Sequence, residues 1–261
     1  MAITTTSWDP AQYLRFSNER LRPALDLLAQ VPLAQAAQVT DLGCGAGNVT
    51  AILRQRFPAA AVCGIDGSPA MLEKARAAAP DCSFAQGDFA IWQPDSPPDL
   101  IYSNAALHWV GGHETLFPRL VSLLAPGGVL AVQMPAMHDA PLRALQGEVA
   151  ASGPWAERLR DAGFARSLLP TGSYYDLIRP HVASLDMWET TYLHVLQGED
   201  AVTEWASGSS LRPFLDLLDS NPVLRAAFRT AYSAALRPHY PRRADGSTLL
   251  PFRRLFIVAR R

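Results

Sequence analysis

Short apolar or alternating runs recur along the first half of the chain, each separated from the next by a stretch with helical spacing. In RLRPALDLLAQV (20–31), Leu21, Leu25 and Leu28 share one face of a predicted helix. VTDLG (39–43) reads as a strand, and NVTAILRQRF (48–57) as a helix stopped by Pro58. AVCGID (61–66) is a second strand. SPAMLEKARAAA (68–79) is a helix with strong punctuation: Ser68 as N-cap, Pro69 at the first helical position and Pro80 beyond the end. CSFAQGD (82–88) and DLIYSNA (99–105) read as further strands, followed by a helix near 113–124, the turn APGG and a fifth strand, GGVLAVQMP (127–135).

The pattern loosens after Pro135. Residues 136–185 are rich in Pro, Gly, Ala and Arg, which predicts short helices and a lid or cap. MWETTYLHVL (187–196) reads as a strand, helical patterns follow near 199–206, 211–219 and 222–236, and LLPFRRLFIVARR supplies a terminal strand over 248–261. Strands alternating with helices imply an α/β fold: a doubly wound, mostly parallel sheet covered on both faces. In such sheets ligands bind beyond the carboxyl ends of the strands, near the point where strand order reverses. The candidate polar residues lie at such ends: Asp41 to Gly45, Asp66, Asp88 and Asn104. The expected organisation is a single domain over 1–261. It comprises an N-terminal helical segment (1–30) over the active site, a ligand-binding core (31–135), a cap and substrate region (136–240) holding the late strand, and the terminal strand.

Composition narrows the function classes. With 261 residues, 49% of them hydrophobic, the chain can bury a sizeable core. A net charge of -1 gives no electrostatic footprint for nucleic acid, and no polybasic segment or long apolar run points to a membrane. Cys44, Cys63 and Cys82 form no CxxC pair, and the first residues lack a secretory h-region; both suit a cytoplasmic protein, expected to be a monomer. Lys74 is the sole lysine, leaving 22 of the 23 basic residues as arginine, so the mere presence of an Arg carries little weight. His113, His138, His181 and His239 show no metal-ligand spacing, and no metal is expected.

The loop DLGCGAGN (41–48) admits two ligands. A dinucleotide fold places G-x-G-x-x-G under a pyrophosphate. Here the glycines are Gly43, Gly45 and Gly47, and Asn48 occupies the third fingerprint position. Asp41, just before the first glycine, would repel a pyrophosphate but pair with an ammonium group. The spacing D-x-G-x-G-x-G resembles motif I of the class I S-adenosylmethionine-dependent methyltransferases, which implies their Rossmann-like fold: a doubly wound, mostly parallel seven-stranded sheet with a helical cap and an antiparallel terminal strand. That resemblance implies S-adenosylmethionine as cofactor, with the loop backbone, Asp41, Gly43, Gly45 and Asn48, passing under its methionine moiety. It implies that Asp66 takes both ribose hydroxyls, with Gly67, Ser68 and Met71 beside it. A carboxylate has lone pairs enough for two donors. The QGDF segment then sets Asp88 and Phe89 around the adenine, and Asn104 faces the methyl donor. Cys44 is read as a small loop residue with no nucleophilic role.

Further pieces are similar to the trans-aconitate 2-methyltransferase family: WDPAQYLRFSNERLRP (8–23), VLAVQMP, TTYLH, the LRP of SSLRPFL, and RLFIVA. The resemblance implies methyl esterification of a small polycarboxylic acid. A carboxylate with a pKa of about 4 is already ionised at neutral pH, so no general base is required. The remaining carboxylates need fixed positive partners, and arginine's planar fork suits them. The candidates are Arg212 and Arg254. Tyr192 and His194 share one face of a strand and add hydrogen bonds, Tyr13 and Arg20 close the site from the N-terminal segment, and Trp109 walls the pocket beside His108. Arg15, Arg22 and Arg253 read as structural or exposed. The chain departs from the family pattern at His108-Trp109, where the family has Gln-Trp, and at MPAMHDAPLR, where the family continues its Met-Pro with Asp-Asn and a later Glu-Pro. A methyltransferase acting on a hydroxyl, carbon or nitrogen of another metabolite, with His108 as base, is the alternative. A nicotinamide oxidoreductase and a non-catalytic binding module are the remaining classes.

Overall fold

The computed structural model describes residues 21–160, 168–208 and 210–261. Tyr13 and Arg20, and most of the 1–30 segment, lie outside them. The strands are β1 (Gln38–Leu42), β2 (Ala61–Asp66), β3 (Ser83–Gln86), β4 (Leu100–Asn104), β5 (Val129–Pro135), β6 (Ser184–Gln197) and β7 (Ser247–Arg260). They form a seven-stranded sheet in the order β3-β2-β1-β4-β5-β7-β6. Pairings from β3 through β5 are parallel, whereas β7 runs antiparallel to β5, with Pro135 opposite Arg254. The expected α/β, mostly parallel sheet with an antiparallel terminal strand is therefore present. Strand order reverses between β1 and β4, which opens a crevice beyond their carboxyl ends.

The chain divides into two compact units: Met1–Pro135 with Leu168–Thr190 and Arg254–Arg261, and Ala136–Ser167 with Thr191–Arg253. In the first unit, β4 and β5 are buried nearly throughout, as strands covered on both faces must be. Helix α1 (Arg22–Ala29) buries Ala24, Leu25, Leu27 and Leu28, and the buried Tyr102 hydroxyl of β4 donates to the carbonyl of Ala24 at 2.5 Å. Helix α2 (Asn48–Arg56) follows the glycine loop. Helix α3 (Pro69–Ala78) begins as its punctuation dictates, the Ser68 hydroxyl accepting from the Met71 N–H at 3.4 Å. Helices α4 (His113–Leu123) and α6 (Thr171–Ile178) also belong to this unit. The Asp99 carboxylate accepts from the N–H groups of Ala37 and Gln38 at 2.7 and 3.0 Å, aligning the entry of β1 with that of β4.

The second unit holds α5 (Pro141–Ala151), α7 (Ala201–Ser207), α8 (Arg212–Leu217) and α9 (Pro222–Leu236). Its core packs Leu142, Trp155, Leu211, Phe214, Phe228 and Leu250, with Trp155 edge-on to Phe228 at 5.4 Å. Two buried polar pairs tie its helices together: the Tyr232 hydroxyl donates to the Leu142 carbonyl at 2.7 Å, and Gln146 Nε2 to Ser210 Oγ at 2.6 Å. The segment that departs from the family pattern has its own structural use here. Asp139 receives the Arg253 guanidinium at 2.5 Å, while Arg253 Nε donates to the Ala136 carbonyl at 3.0 Å. The structure thus gives Arg253 a tethering role.

Candidate active site

The carboxyl end of β1 runs into the loop Gly43–Gly47, whose three glycines all take positive φ. The loop is moored to β2, with the N–H groups of Gly43 and Cys44 both donating to the Ile65 carbonyl, at 2.8 and 3.1 Å. Two of the glycines are packing residues. A Cβ on Gly43 would lie 2.0 Å from the Cβ of Ala106, and one on Gly47 would lie 2.9 Å from the Cα of Ala75. Gly45 differs: a Cβ there would meet nothing within 4 Å, so its bareness leaves room for a ligand.

Asp66, ending β2, organises this region. One carboxylate oxygen accepts from the Gly45 N–H and the other from the Ser68 N–H, both at 2.9 Å. Each oxygen retains a lone-pair site, so the group can still accept from two vicinal hydroxyls while fixing the loop and the start of α3. Downstream of β3, Asp88 caps its own turn by accepting from the Ala90 N–H at 2.9 Å. The guanidinium of Arg119, on α4, holds that turn by donating to the carbonyls of Trp92 (2.6 Å) and Phe89.

These elements surround a cavity of about 650 Å³, within the range of small-molecule sites. Of the residues expected there, Gly43, Gly45, Asp66, Gly67, Met71, Asp88, Phe89 and Trp109 line it. Gln86, Gly87, Ala105, Ala106 and Val110 line it without having been singled out in the sequence. Ala105 is the one non-glycine residue with positive φ (53°) among the described residues, held by its N–H donating to the Gln133 carbonyl at 2.9 Å. Such strain, costing about 1–2 kcal/mol, concentrates where a site dictates the backbone. Immediately before it, Asn104 Oδ1 is buried and has no donor among the described residues. Asn104 itself is not among the residues that line the cavity. The cavity, the bare Gly45 and the spare acceptors of Asp66 fit an adenosyl cofactor.

Several expectations need correction. Asp41 does not line the cavity. Its carboxylate is buried and accepts from the Thr50 hydroxyl at 2.6 Å, so direct pairing with an ammonium gives way to a supporting role beneath the loop. Burial, and to a lesser extent the charge of Asp66, push its pKa from 3.8 to about 7, against the lowering effect of the Thr50 bond. Asn48 is exposed in the first turn of α2, and Ser68 serves as the cap of α3. Arg212 is an exposed side chain at the start of α8, 3.7 Å from Asp216 in an i,i+4 ion pair, which is no pocket geometry for a carboxylate fork. Cys44 keeps the role expected of it: it is buried, and burial together with Asp41 and Asp66 pushes its thiol up to about 12, consistent with a packing residue.

His108 and Trp109 sit on a 3-10 turn (Leu107–Trp109), with ring centroids 4.7 Å apart. The turn is fixed by His113. Its Nε2 donates to the Leu107 carbonyl at 3.0 Å, and its Nδ1 shares a hydrogen bond with the Tyr174 hydroxyl at 2.6 Å, so His113 serves as a structural brace. Arg254, on β7, is only 5% exposed, and its Nη1 donates to Gln133 Oε1 at 3.1 Å. In the second unit, Tyr192 and His194 are both buried on one face of β6, as alternation requires. His194 stacks on Trp205 at 4.6 Å and meets the edge of Phe252 at 5.5 Å.

Comparison with known proteins agrees with this geometry. Residues 39–128 match a family described as a methyltransferase domain. Trans-aconitate 2-methyltransferase of Paracidovorax citrulli (strain AAC00-1) is 51% identical over 257 residues, covering 97% of this chain and 98% of the relative. The enzyme of that name from Methylobacterium radiotolerans is also 51% identical, with the same coverage. Among solved structures, the YcgJ protein from Bacillus subtilis superposes with a TM-score of 0.61 at 16% identity, over 92% of this chain and 98% of the other, a likeness of fold.

Proposed function

We infer function from one premise: the chain belongs to the trans-aconitate 2-methyltransferase family. It is an S-adenosylmethionine-dependent methyltransferase, and it forms a methyl ester on a carboxylate of trans-aconitate. The observation that carries this reading is half identity sustained over 97% of the chain. When bound, S-adenosylmethionine supplies a sulfonium methyl open to in-line attack by an already ionised carboxylate.

The chain's own residues then have positioning work. Asp66 would take the ribose hydroxyls, Asp88 and Phe89 would hold the adenine, and Asn104 would offer its amide oxygen to the sulfonium. Arg254 holds a non-reacting carboxylate of the acid. Alignment of the two reactants and exclusion of water supply the rate, up to roughly 7–11 kcal/mol of the barrier. Tyr192 and His194 are the further candidates for substrate contact, and Tyr13 and Arg20, expected to join them, lie outside the described residues. We place the reaction in the cytoplasm, a reading supported by the three free cysteines.

Incubation with methyl-labelled S-adenosylmethionine and a panel of di- and tricarboxylic acids tests this. Label is expected in trans-aconitate above the others, and no transfer to any of them refutes the substrate class. The second reading, a hydroxyl acceptor with His108 as base, is favoured by the position of His108 beside cavity-lining Trp109. His108→Ala separates the two. A carboxylate acceptor keeps its kcat within about threefold, whereas a base-dependent acceptor loses about 100-fold or more.

A further inference from the structure

Gln133, near the end of β5, is fully buried, with Asn104 of β4 and Phe256 of β7 as its register neighbours. Side chains opposite one another, and those two residues along, share one face of a sheet. Gln133, Asn104, Phe256 and Arg254 therefore stand together, with Trp188 of β6 stacked on Phe256 at 4.8 Å. Gln133 Oε1 accepts from Arg254 Nη1 at 3.1 Å. This bond fixes the amide's orientation, because a guanidinium only donates and the flipped amide would bring donor against donor. The other end, Nε2, is buried and finds no acceptor among the described residues. Buried amide donors are seldom left so, and each instance calls for a missing partner. That partner must accept a hydrogen bond; the neighbouring Asn104 Oδ1 makes none to it, and the guanidinium on its other side favours an anion. The position is one strand residue from Ala105, which lines the cavity.

We propose that Gln133 binds the substrate directly, forming with Arg254 a composite clamp for a non-reacting carboxylate. One carboxylate oxygen accepts from the guanidinium and the other from Gln133 Nε2, and the clamp thereby sets which carboxylate faces the methyl donor. The inference rests on the acid-acceptor reading above. It extends that reading from charge to regiochemistry, through a neutral residue.

Steady-state kinetics of the full chain tests the clamp with Gln133→Met, which keeps the bulk and removes the donor, and Gln133→Glu, which sets a carboxylate against Arg254. Both are expected to raise KM for trans-aconitate, by about 10-fold for Gln133→Met and about 100-fold for Gln133→Glu. KM for S-adenosylmethionine should stay within about threefold, and the monoester should become a mixture of regioisomers. Wild-type enzyme, independently of any variant, should lose about 100-fold in kcat/KM on an analogue whose clamped carboxylate is replaced by methyl. Unchanged acid KM and a single regioisomer in both variants, or an analogue series in which no non-reacting carboxylate matters, overturns the clamp. Failure of the wild type to methylate any acid overturns the acid-acceptor reading instead, so the two failures are distinct.

Discussion

Arg212 and Arg254 illustrate what a residue's surroundings add to its type. In sequence they are equivalent: each stands in a family-like motif of an arginine-rich chain. In the fold one is an exposed partner of Asp216, and the other is buried against Gln133. A fork that is desolvated and already oriented binds carboxylate far better than one in water. Arg254→Ala is therefore expected to raise KM for the acid by about 100-fold, and Arg212→Ala to change it less than twofold, measured at saturating S-adenosylmethionine. The residues legible in advance were those whose role is local. Asp66, Gly45 and Asp88 are marked by their positions at strand ends. Arg119 and Gln133 were not legible, because their bonds join residues 30 and 121 apart in the chain. Only the fold brings those partners together.

At the scale of elements, the glycine loop separates steric from ligand-directed roles. Gly43→Ala must move Ala106 and hold a side chain at φ 88°, and is expected to cost about 2–5 kcal/mol of stability by denaturant unfolding. Gly45→Ala meets no protein atom within 4 Å, so only the backbone cost of about 1–2 kcal/mol is expected. Its larger effect should be on cofactor affinity. Helix α3 was readable to the residue at its start because Ser68 and Pro69 each act through their own backbone. Strand β6 was not: it begins at Ser184, three residues before the apolar run that announced it. Ser184 and Asp186 are exposed, so hydrophobicity could not mark them, and pairing within the sheet decides their conformation.

For the molecule as a whole, pH and packing give separate handles on stability. Asp41 has a folded pKa of about 7 against an unfolded value of 3.8, so the folded state binds more protons between those values. Its stabilising contribution is complete below the unfolded value and lost as pH rises through about 7. Ligand-free protein should accordingly lose thermal stability between about pH 4 and pH 7, and Asp41→Asn should flatten that slope. In the second unit, Phe228→Ala removes a ring packed against Trp155 and Phe214, and should cost about 3–5 kcal/mol in denaturant unfolding. The alternation of strands and helices visible in the sequence implies the parallel, doubly wound part of the sheet, whereas the strand order and the antiparallel return of β7 depend on pairings between residues far apart in the chain. The division into two units likewise depends on contacts among segments far apart in the chain.

The cofactor site at the reversal of strand order is the claim on which the rest stands, and calorimetric titration of S-adenosylhomocysteine into wild type and Asp66→Ala probes it most directly. Loss of two charge-assisted hydrogen bonds to the ribose should weaken affinity by about 100-fold, about 3 kcal/mol. Equal affinity in a variant whose circular dichroism and unfolding midpoint match the wild type would contradict the assignment.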